Sequence, residues 1–377
     1  MLFLINMIPI TKPTLSKYKK YAPRFKEVIE SGILTNGKYV KLFEDNASKY
    51  LGVKYCIAVS SCTSGLMLVL KGLAVRGEVV LPSFTFSASG HAVLWNNLKP
   101  VFADIKKDTY EIDPISIKKM ITPKTGAILA TQIFGNSCNV AALRKICNKH
   151  NLRLIFDAAH AFGSELKGKK VGVFGDAEVF SLSPTKVLTA AEGGLIATNN
   201  KALAEFCRIG RNYGDDGSYN TKFNGLNARM SEFHAIIGLE SLKNIDKNLK
   251  DRLAAVNYFK NKLSRIDKNI EFQAIHKNSK STFKDFSLYI NPSKTGYNRD
   301  QLHDHLITNG IIAKKYFYPP LHLQKTYNKF YVNKKQLVNT NNVANNVLSL
   351  PLFSHISKKE IDLIVETIKT FYDTKRI

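Results

Sequence analysis

The sequence predicts an α/β protein: a large domain built on a mostly parallel sheet covered by helices, then a smaller C-terminal α+β domain. Three observations carry this prediction. From about residue 54 to about residue 200, short apolar runs alternate with segments of helical spacing. Those apolar runs are nearly continuous, as expected of strands buried on both faces. Beyond about residue 245 the alternation gives way to mixed short strands and helices.

In chain order, the opening MLFLINMIPI is apolar but short, with no basic n-region and no small-residue cleavage site. It is read as a segment packing on the body of the protein, not as a signal peptide. APRFKEVIES reads as a helix ended by Gly32. KYCIAVSS is a strand, and TSGLMLVLKGLA has the apolar spacing of the helix that follows. GEVVLPS and GAILATQIFG are strands, and NVAALRKICNKHN is an amphipathic helix. LRLIFDAAH, DAEVFSLS and GGLIATN supply further strands. Residues 229–264 read as helical, with Phe233, Ile236, Ile237 and Leu242 near the spacing of a buried stripe. KDFSLYIN, RDQLHDHLITNG and KKEIDLIVETIKTFY represent the C-terminal mixture. The boundary is placed near residue 245, giving domains 1–245 and 246–377.

No apolar run approaches the ~20 residues that span a bilayer, so a cytoplasmic protein without a membrane partner is expected. The five cysteines, Cys56, Cys62, Cys138, Cys147 and Cys207, are scattered and never in C-x-x-C spacing. They point to reduced, buried thiols and away from a disulfide framework or a zinc site. The formal charge of +25 suits an anionic partner. The lysines are dispersed in pairs, as at 19–20, 106–107, 169–170 and 314–315, with no long basic block. That pattern argues against nucleic acid and leaves an anionic small molecule.

Four motifs compete for the chemistry. GILTNGKY at 32–39 has the glycine–lysine spacing of a P-loop but ends in Tyr39, where a magnesium-binding Ser or Thr is needed. It also follows a helix where a P-loop follows a strand. SSCTSG at 60–65 follows a strand and opens a helix, so it can cradle a phosphate or simply cap the helix. Asp157, in FDAAH, ends an apolar run, where the functional groups of an open parallel sheet gather. Asp157 and His160 could ligate a metal, but no third ligand stands nearby and none is expected. FSLSPTKVLTAAEGG at 180–194 sets Ser181 and Lys186 at another strand end, with Gly193 and Gly194 allowing close backbone packing. A lysine amine, a carboxylate and an anion cradle are what pyridoxal phosphate (PLP) requires: a Schiff-base partner, a partner for its ring nitrogen and a phosphate site.

These residues, in this order, resemble the DegT/DnrJ/EryC1/StrS aminotransferases. The resemblance covers almost the whole chain, through IPITKPTL, SGILTNGKYVKLFEDNASKYLGV, VVLPSFTFSAS, KPVFADI, FDAAHAFGS, FSLSPTKVLTAAEGG, GLNARMSEFHAIIGLESL, YPPLHLQ and LSLPLFS. It implies PLP fold type I with pyridoxal 5'-phosphate as cofactor. It also implies that Lys186 is the Schiff-base lysine and Asp157 the partner of the pyridinium nitrogen. Thr63, Ser64 and Ser181 become phosphate contacts, Phe86 the ring-stacking aromatic, and His160 a neighbour of the 3-hydroxyl. Asn227 is implied to reach the cofactor phosphate of a second subunit, with Arg229 beside it, in a homodimer with shared sites. Tyr318 and His322 fall near the sugar-nucleotide pocket, and Lys314 and Lys315 are candidates for its diphosphate. Two positions depart from the family pattern: Cys62 stands where glycine is usual, and Ser183 where His or Tyr is usual.

The implied activity is ping-pong transfer of an amino group, from L-glutamate, to a keto sugar carried on a nucleotide, in bacterial surface-polysaccharide or glycan synthesis. Lys186, where a dehydrating branch of the family has histidine, favours transamination, and AAEGG leans toward amination at C4 over C3. A keto-cyclitol acceptor is the enzyme alternative. A regulatory nucleic-acid-binding protein is the alternative from another class.

Overall fold

The computed structural model describes residues 7–331 and 336–375. Residues 1–6, most of the apolar opening, lie outside them. Helix α1 (Ala22–Ser31) ends at Gly32 in the left-handed conformation, φ 67°. Helix α2 (Lys38–Leu51) then leads to strand β1 (Tyr55–Val59) and helix α3 (Cys62–Gly72). Next come β2 (Glu78–Pro82), α4 (Ser87–Trp95), β3 (Lys99–Ala103), α5 (Pro114–Met120), β4 (Thr125–Thr131), α6 (Val140–His150) and β5 (Arg153–Asp157). Two short strands, β6 (Glu165–Leu166) and β7 (Lys169–Lys170), form a hairpin. The main sheet resumes with β8 (Ala177–Ser181) and β9 (Gly194–Thr198).

Seven strands make this sheet, in the order β1-β9-β8-β5-β4-β2-β3. Only β9 is reversed; it pairs antiparallel with β1 and β8, while the other pairings are parallel. The period-two alternation of side chains divides each strand between two cores. Ile57, Val79, Leu81, Ile155 and Val179 meet α3, α4 and α7 (Lys201–Gly210) on one face. Cys56, Ala58 and Phe180 meet α2 and α8 (Glu232–Lys243) on the other. Further along that second face, Val80, Leu154 and Phe156 pack with Leu143 and Ile146 of α6. Two covered faces explain why the strands read as unbroken apolar runs.

The expected helical stretch 229–264 is two helices. Helix α8 starts after Ser231, whose hydroxyl accepts from the Phe233 amide, and ends at Asn244; α9 (Ile245–Ile266) begins at once. Strand β4 stops at Thr131, so TQIFG leaves the sheet and turns through a short 3₁₀ segment at Ile133–Gly135. Helix α9 carries the chain from the first core, at Ile245, to a third, at Phe259 and Leu263. That third core packs around β10 (Glu271–Phe272), β12 (Phe286–Tyr289) and β13 (Val347–Leu350), a three-stranded sheet, while β11 (Ser279–Lys280) joins the β6–β7 hairpin. Helices α10 (Pro292–Thr295), α11 (Arg299–Thr308), α12 (Val338–Asn346) and α13 (Lys358–Lys375) complete the chain. Ile8 pairs with Ile311 and packs in this third core. All five cysteines are free and buried. No described helix is long and apolar enough to cross a membrane.

Candidate active site

The parallel strands end along one edge of the main sheet, and the chemistry gathers there. Asp157 is the last residue of β5 and is buried, 3% exposed. Burial pushes its carboxyl up, opposed by hydrogen bonds from the Ser89 hydroxyl and the Ala159 amide. The Ser89 bond to Oδ2 is 2.6 Å and the Ala159 bond to Oδ1 is 3.1 Å. Because Ser89 spends its one proton on Asp157, Thr85 must donate to Ser89 (2.9 Å), and Thr131 donates to Thr85 (3.1 Å). Three hydroxyls from α4, its preceding loop and β4 thus aim one proton at the carboxylate.

Beside it, β1 runs through Ser60 into α3. Ser61 caps α3 in a reciprocal capping box: its hydroxyl accepts from the Ser64 amide, and its own amide donates to the Ser64 hydroxyl, both at 3.1 Å. Ser61, Cys62 and Thr63 line the cavity, while the Ser64 hydroxyl is held in the cap. The Cys62 thiol lies 4.0 Å from Asp157 Oδ1, and burial holds it protonated. Gly194 is packed against this turn: a Cβ there would stand 2.4 Å from Ser61 backbone atoms and 2.6 Å from the Cys62 amide nitrogen.

Lys186 follows β8 in a turn closed by its amide bonding to the Ser183 carbonyl, 3.0 Å. Its amine is brought down to about 8, chiefly by burial and then by the ammonium of Lys284. Ser181 and Ser183 line the same cavity. His160 forms a triangle with Phe134 and Phe317, its ring near-parallel to both at centroid distances of 6.1 and 6.2 Å. Burial keeps it neutral, and its Nδ1 accepts from the Phe134 amide, so Nε2 carries the proton. Phe86, 61% exposed, stands at the mouth, 6.4 Å from Phe317.

Lys186, Asp157, His160, Thr63, Ser181 and Phe86 therefore share one cavity of about 380 Å³. Lys314, Lys315 and Tyr318 line an adjoining, more open one of about 480 Å³, sharing Phe86, Tyr316 and Phe317 with the first. Lys315 pairs with Asp300 at 2.7 Å, and Tyr318 lies under the Arg299 guanidinium, 4.9 Å away. Asn227 and Arg229 line neither cavity of this protomer; Asn227 is exposed and Arg229 donates to its Oδ1 at 3.3 Å. His322 points away from both cavities. The 3₁₀ turn Leu321–Leu323 sends its ring inward, 1% exposed, to Ser83 Oγ (2.7 Å) and Asn341 Oδ1 (3.1 Å), and it lines neither cavity. The P-loop reading of GILTNGKY has a structural answer as well. The first amides of α2 are already taken by the Glu232 carboxylate, which accepts from Gly37 (3.0 Å), Tyr39 (2.7 Å) and Val40 (2.9 Å).

Lys284, Asp285, Tyr316 and Phe317 also line the first cavity, and the motifs missed all four. They come from the C-terminal third. The available signal was the charged Lys-Asp pair opening KDFSLYIN, where a strand is about to be buried.

The match to known proteins decides what this arrangement is. The family model described as the DegT/DnrJ/EryC1/StrS aminotransferase family matches residues 16–369. The chain belongs to this family. It is a PLP-dependent aminotransferase, and the residues fit the cofactor: a half-buried amine brought to about 8, a buried carboxylate, and a helix N-terminus whose close packing leaves no room for a Cβ at Gly194. It is 33% identical over 364 residues to a dTDP-4-amino-4,6-dideoxy-D-glucose transaminase of Shigella dysenteriae, covering 96% of this chain and 98% of that one. It is 30% identical to a GDP-perosamine synthase of Vibrio cholerae, covering 97% and 100%. The solved structure of DesI with its TDP-sugar product superimposes with a TM-score of 0.92 at 31% identity, covering 98% and 94%.

Proposed function

We propose that this chain transfers an amino group from L-glutamate to C4 of a nucleotide-linked 4-keto-6-deoxyhexose, in a bacterial glycan pathway. The observation that carries this reading is the juxtaposition of two cavities: one holding Lys186 and Asp157, the next lined by Lys314 and Lys315. The first suits PLP chemistry, and the second offers cations to a diphosphate. Full-length similarity to a transaminase whose name places the amino group at carbon 4 supports the choice of C4.

Bound in the first cavity, PLP supplies an electron sink conjugated to the amino nitrogen. Asp157, fixed by the Ser89 hydroxyl, would hold the ring nitrogen. The α3 N-terminus with Thr63, joined by Ser181, receives the phosphate through amide and hydroxyl donors. Phe86 would cover the ring from the mouth, and neutral His160 would offer Nε2–H to an oxygen of the cofactor. The Lys186 amine would take up and give back a proton beside the bound cofactor: near neutral pH an amine brought to about 8 can do both. We read the assembly as a homodimer. Ile29, Ile33, Leu34 and Leu42 stand exposed, and Asn227 and Arg229 lie outside their own protomer's cavity, which supports a second subunit against this face.

The test is incubation with PLP, ¹⁵N-glutamate and dTDP-4-keto-6-deoxyglucose, followed by NMR of the sugar product. Nitrogen-15 on C4 is expected. Parallel incubations with the 3-keto isomer and with a keto-cyclitol complete the test: transfer to either of these and not to the 4-keto sugar would overturn the acceptor assignment.

A further inference from the structure

The cavity contains a second lysine. Lys284 opens the β12 segment, and its side chain is 5% exposed. Its ammonium pairs with Asp285 Oδ1 at 2.8 Å and lies 5.5 Å from the Tyr316 ring centroid. The backbone around it is pinned from two sides. The Lys284 amide donates to the Phe134 carbonyl at 3.0 Å, and the buried Arg252 guanidinium donates to the carbonyls of Phe283 (2.7 Å) and Lys284 (2.8 Å). This cation is therefore built into the cavity wall.

Lys186 shares its cavity with charged and titratable groups from each element around it: Lys284, Asp285 and Tyr316 from the C-terminal wall, Cys62 from α3, and Asp157 and His160 from the end of β5 and the loop after it. Burial pushes the Tyr316 phenol up to about 12, so it adds no charge. Glu192 stands exposed at the rim. His160 is neutral and adds no charge. Burial is the largest influence lowering the Lys186 amine and Lys284 the next; Asp285, Cys62 and Asp157 oppose them. The consequence is chemical. At pH 8 an ordinary lysine amine is about 0.3% unprotonated, whereas one brought to about 8 is half unprotonated, a gain of roughly 150-fold in the form that attacks an aldehyde.

We propose that Lys284 is a positioning residue for this site: a fixed second cation, held by Asp285 in the wall of the cavity that Lys186 also lines, which disfavours a second ammonium beside it. This rests on the reading of Lys186 as the nucleophile. Its test needs neither cofactor nor sugar, so the two can fail separately. The full chain, dialysed free of PLP, is labelled competitively with acetic anhydride from pH 6 to 11, and the Lys186 peptide is quantified by mass spectrometry. The wild-type midpoint is expected near 8. Lys284→Gln moves it upward, so that labelling at pH 8 falls about fivefold for the first unit of movement and about tenfold for the next. Lys284→Arg keeps the charge and the wild-type midpoint. The double variant Lys284→Met/Asp285→Asn removes the buried pair as a unit and moves the midpoint in the same direction by less, because Lys284 outweighs Asp285 at Lys186. It decides the matter if the single variant does not fold. An unchanged midpoint on loss of the Lys284 charge overturns the proposal, as does an Arg variant that shifts as far as Gln.

Discussion

Ser89→Ala removes one oxygen from a fully buried chain and leaves the Asp157 carboxylate one donor short. The lost bond is short, 2.6 Å, its acceptor is charged, and its proton is aimed by Thr85 and Thr131. A hydrogen bond to a charged group contributes about 1.5–3 kcal/mol, equivalent to roughly a 10- to 150-fold change in a binding constant. The direction follows from the burial of Asp157. Burial already favours the protonated carboxyl, so losing Ser89 favours it further and weakens Asp157 as the partner of a protonated ring nitrogen. Ser89→Ala is expected to bind PLP at least about tenfold more weakly by fluorescence titration at pH 8. Ser89→Thr, which keeps a hydroxyl, is expected to recover most of that loss. A Ser89→Ala protein that binds PLP within twofold of wild type from pH 6 to 9 would falsify the claim that this hydroxyl chain sustains the carboxylate.

Two further substitutions probe the frame around the site. Gly194→Ala puts a Cβ into the Ser61–Cys62 backbone; it should destabilise by about 1–3 kcal/mol and weaken PLP binding together, seen by thermal unfolding and titration. Wild-type values in both would mean that the α3 turn is not packed as described. Glu232→Gln keeps the shape but removes the charge from the carboxylate holding the amides of Gly37, Tyr39 and Val40 at the start of α2, and should cost about 2 kcal/mol in urea unfolding followed by circular dichroism. An unchanged midpoint would mean that solvent serves those amides equally well.

The sheet was legible because both of its faces are covered: Val79–Leu81 and Leu154–Phe156 are apolar without a break since neighbouring side chains enter different cores. The same logic located Asp157, Ser181 and Lys186, each at the end of a readable strand. The break between α8 and α9 was hidden because Asn244 interrupts the helix without interrupting the apolar spacing. The inward turn of His322 was hidden because YPPLHLQ carries no sign of which way a 3₁₀ turn will point its ring. Lys284 and Asp285 reach the cavity by tertiary folding across nearly a hundred residues from Lys186, which no local pattern records. Ser89 sits in an ordinary helix start, and its partner is set by the pairing of β2 with β4 and of β4 with β5.

The central claim is that Lys186 is the residue that holds PLP. The direct measurement is borohydride reduction of the PLP-loaded protein, followed by proteolysis and mass spectrometry, on wild type and Lys186→Ala. The account predicts a single pyridoxyl-phosphate adduct on the peptide containing Lys186, released by prior incubation with an amino donor and absent from the variant. An adduct on Lys284 or a surface lysine in wild type, or an unchanged adduct in Lys186→Ala, would contradict it.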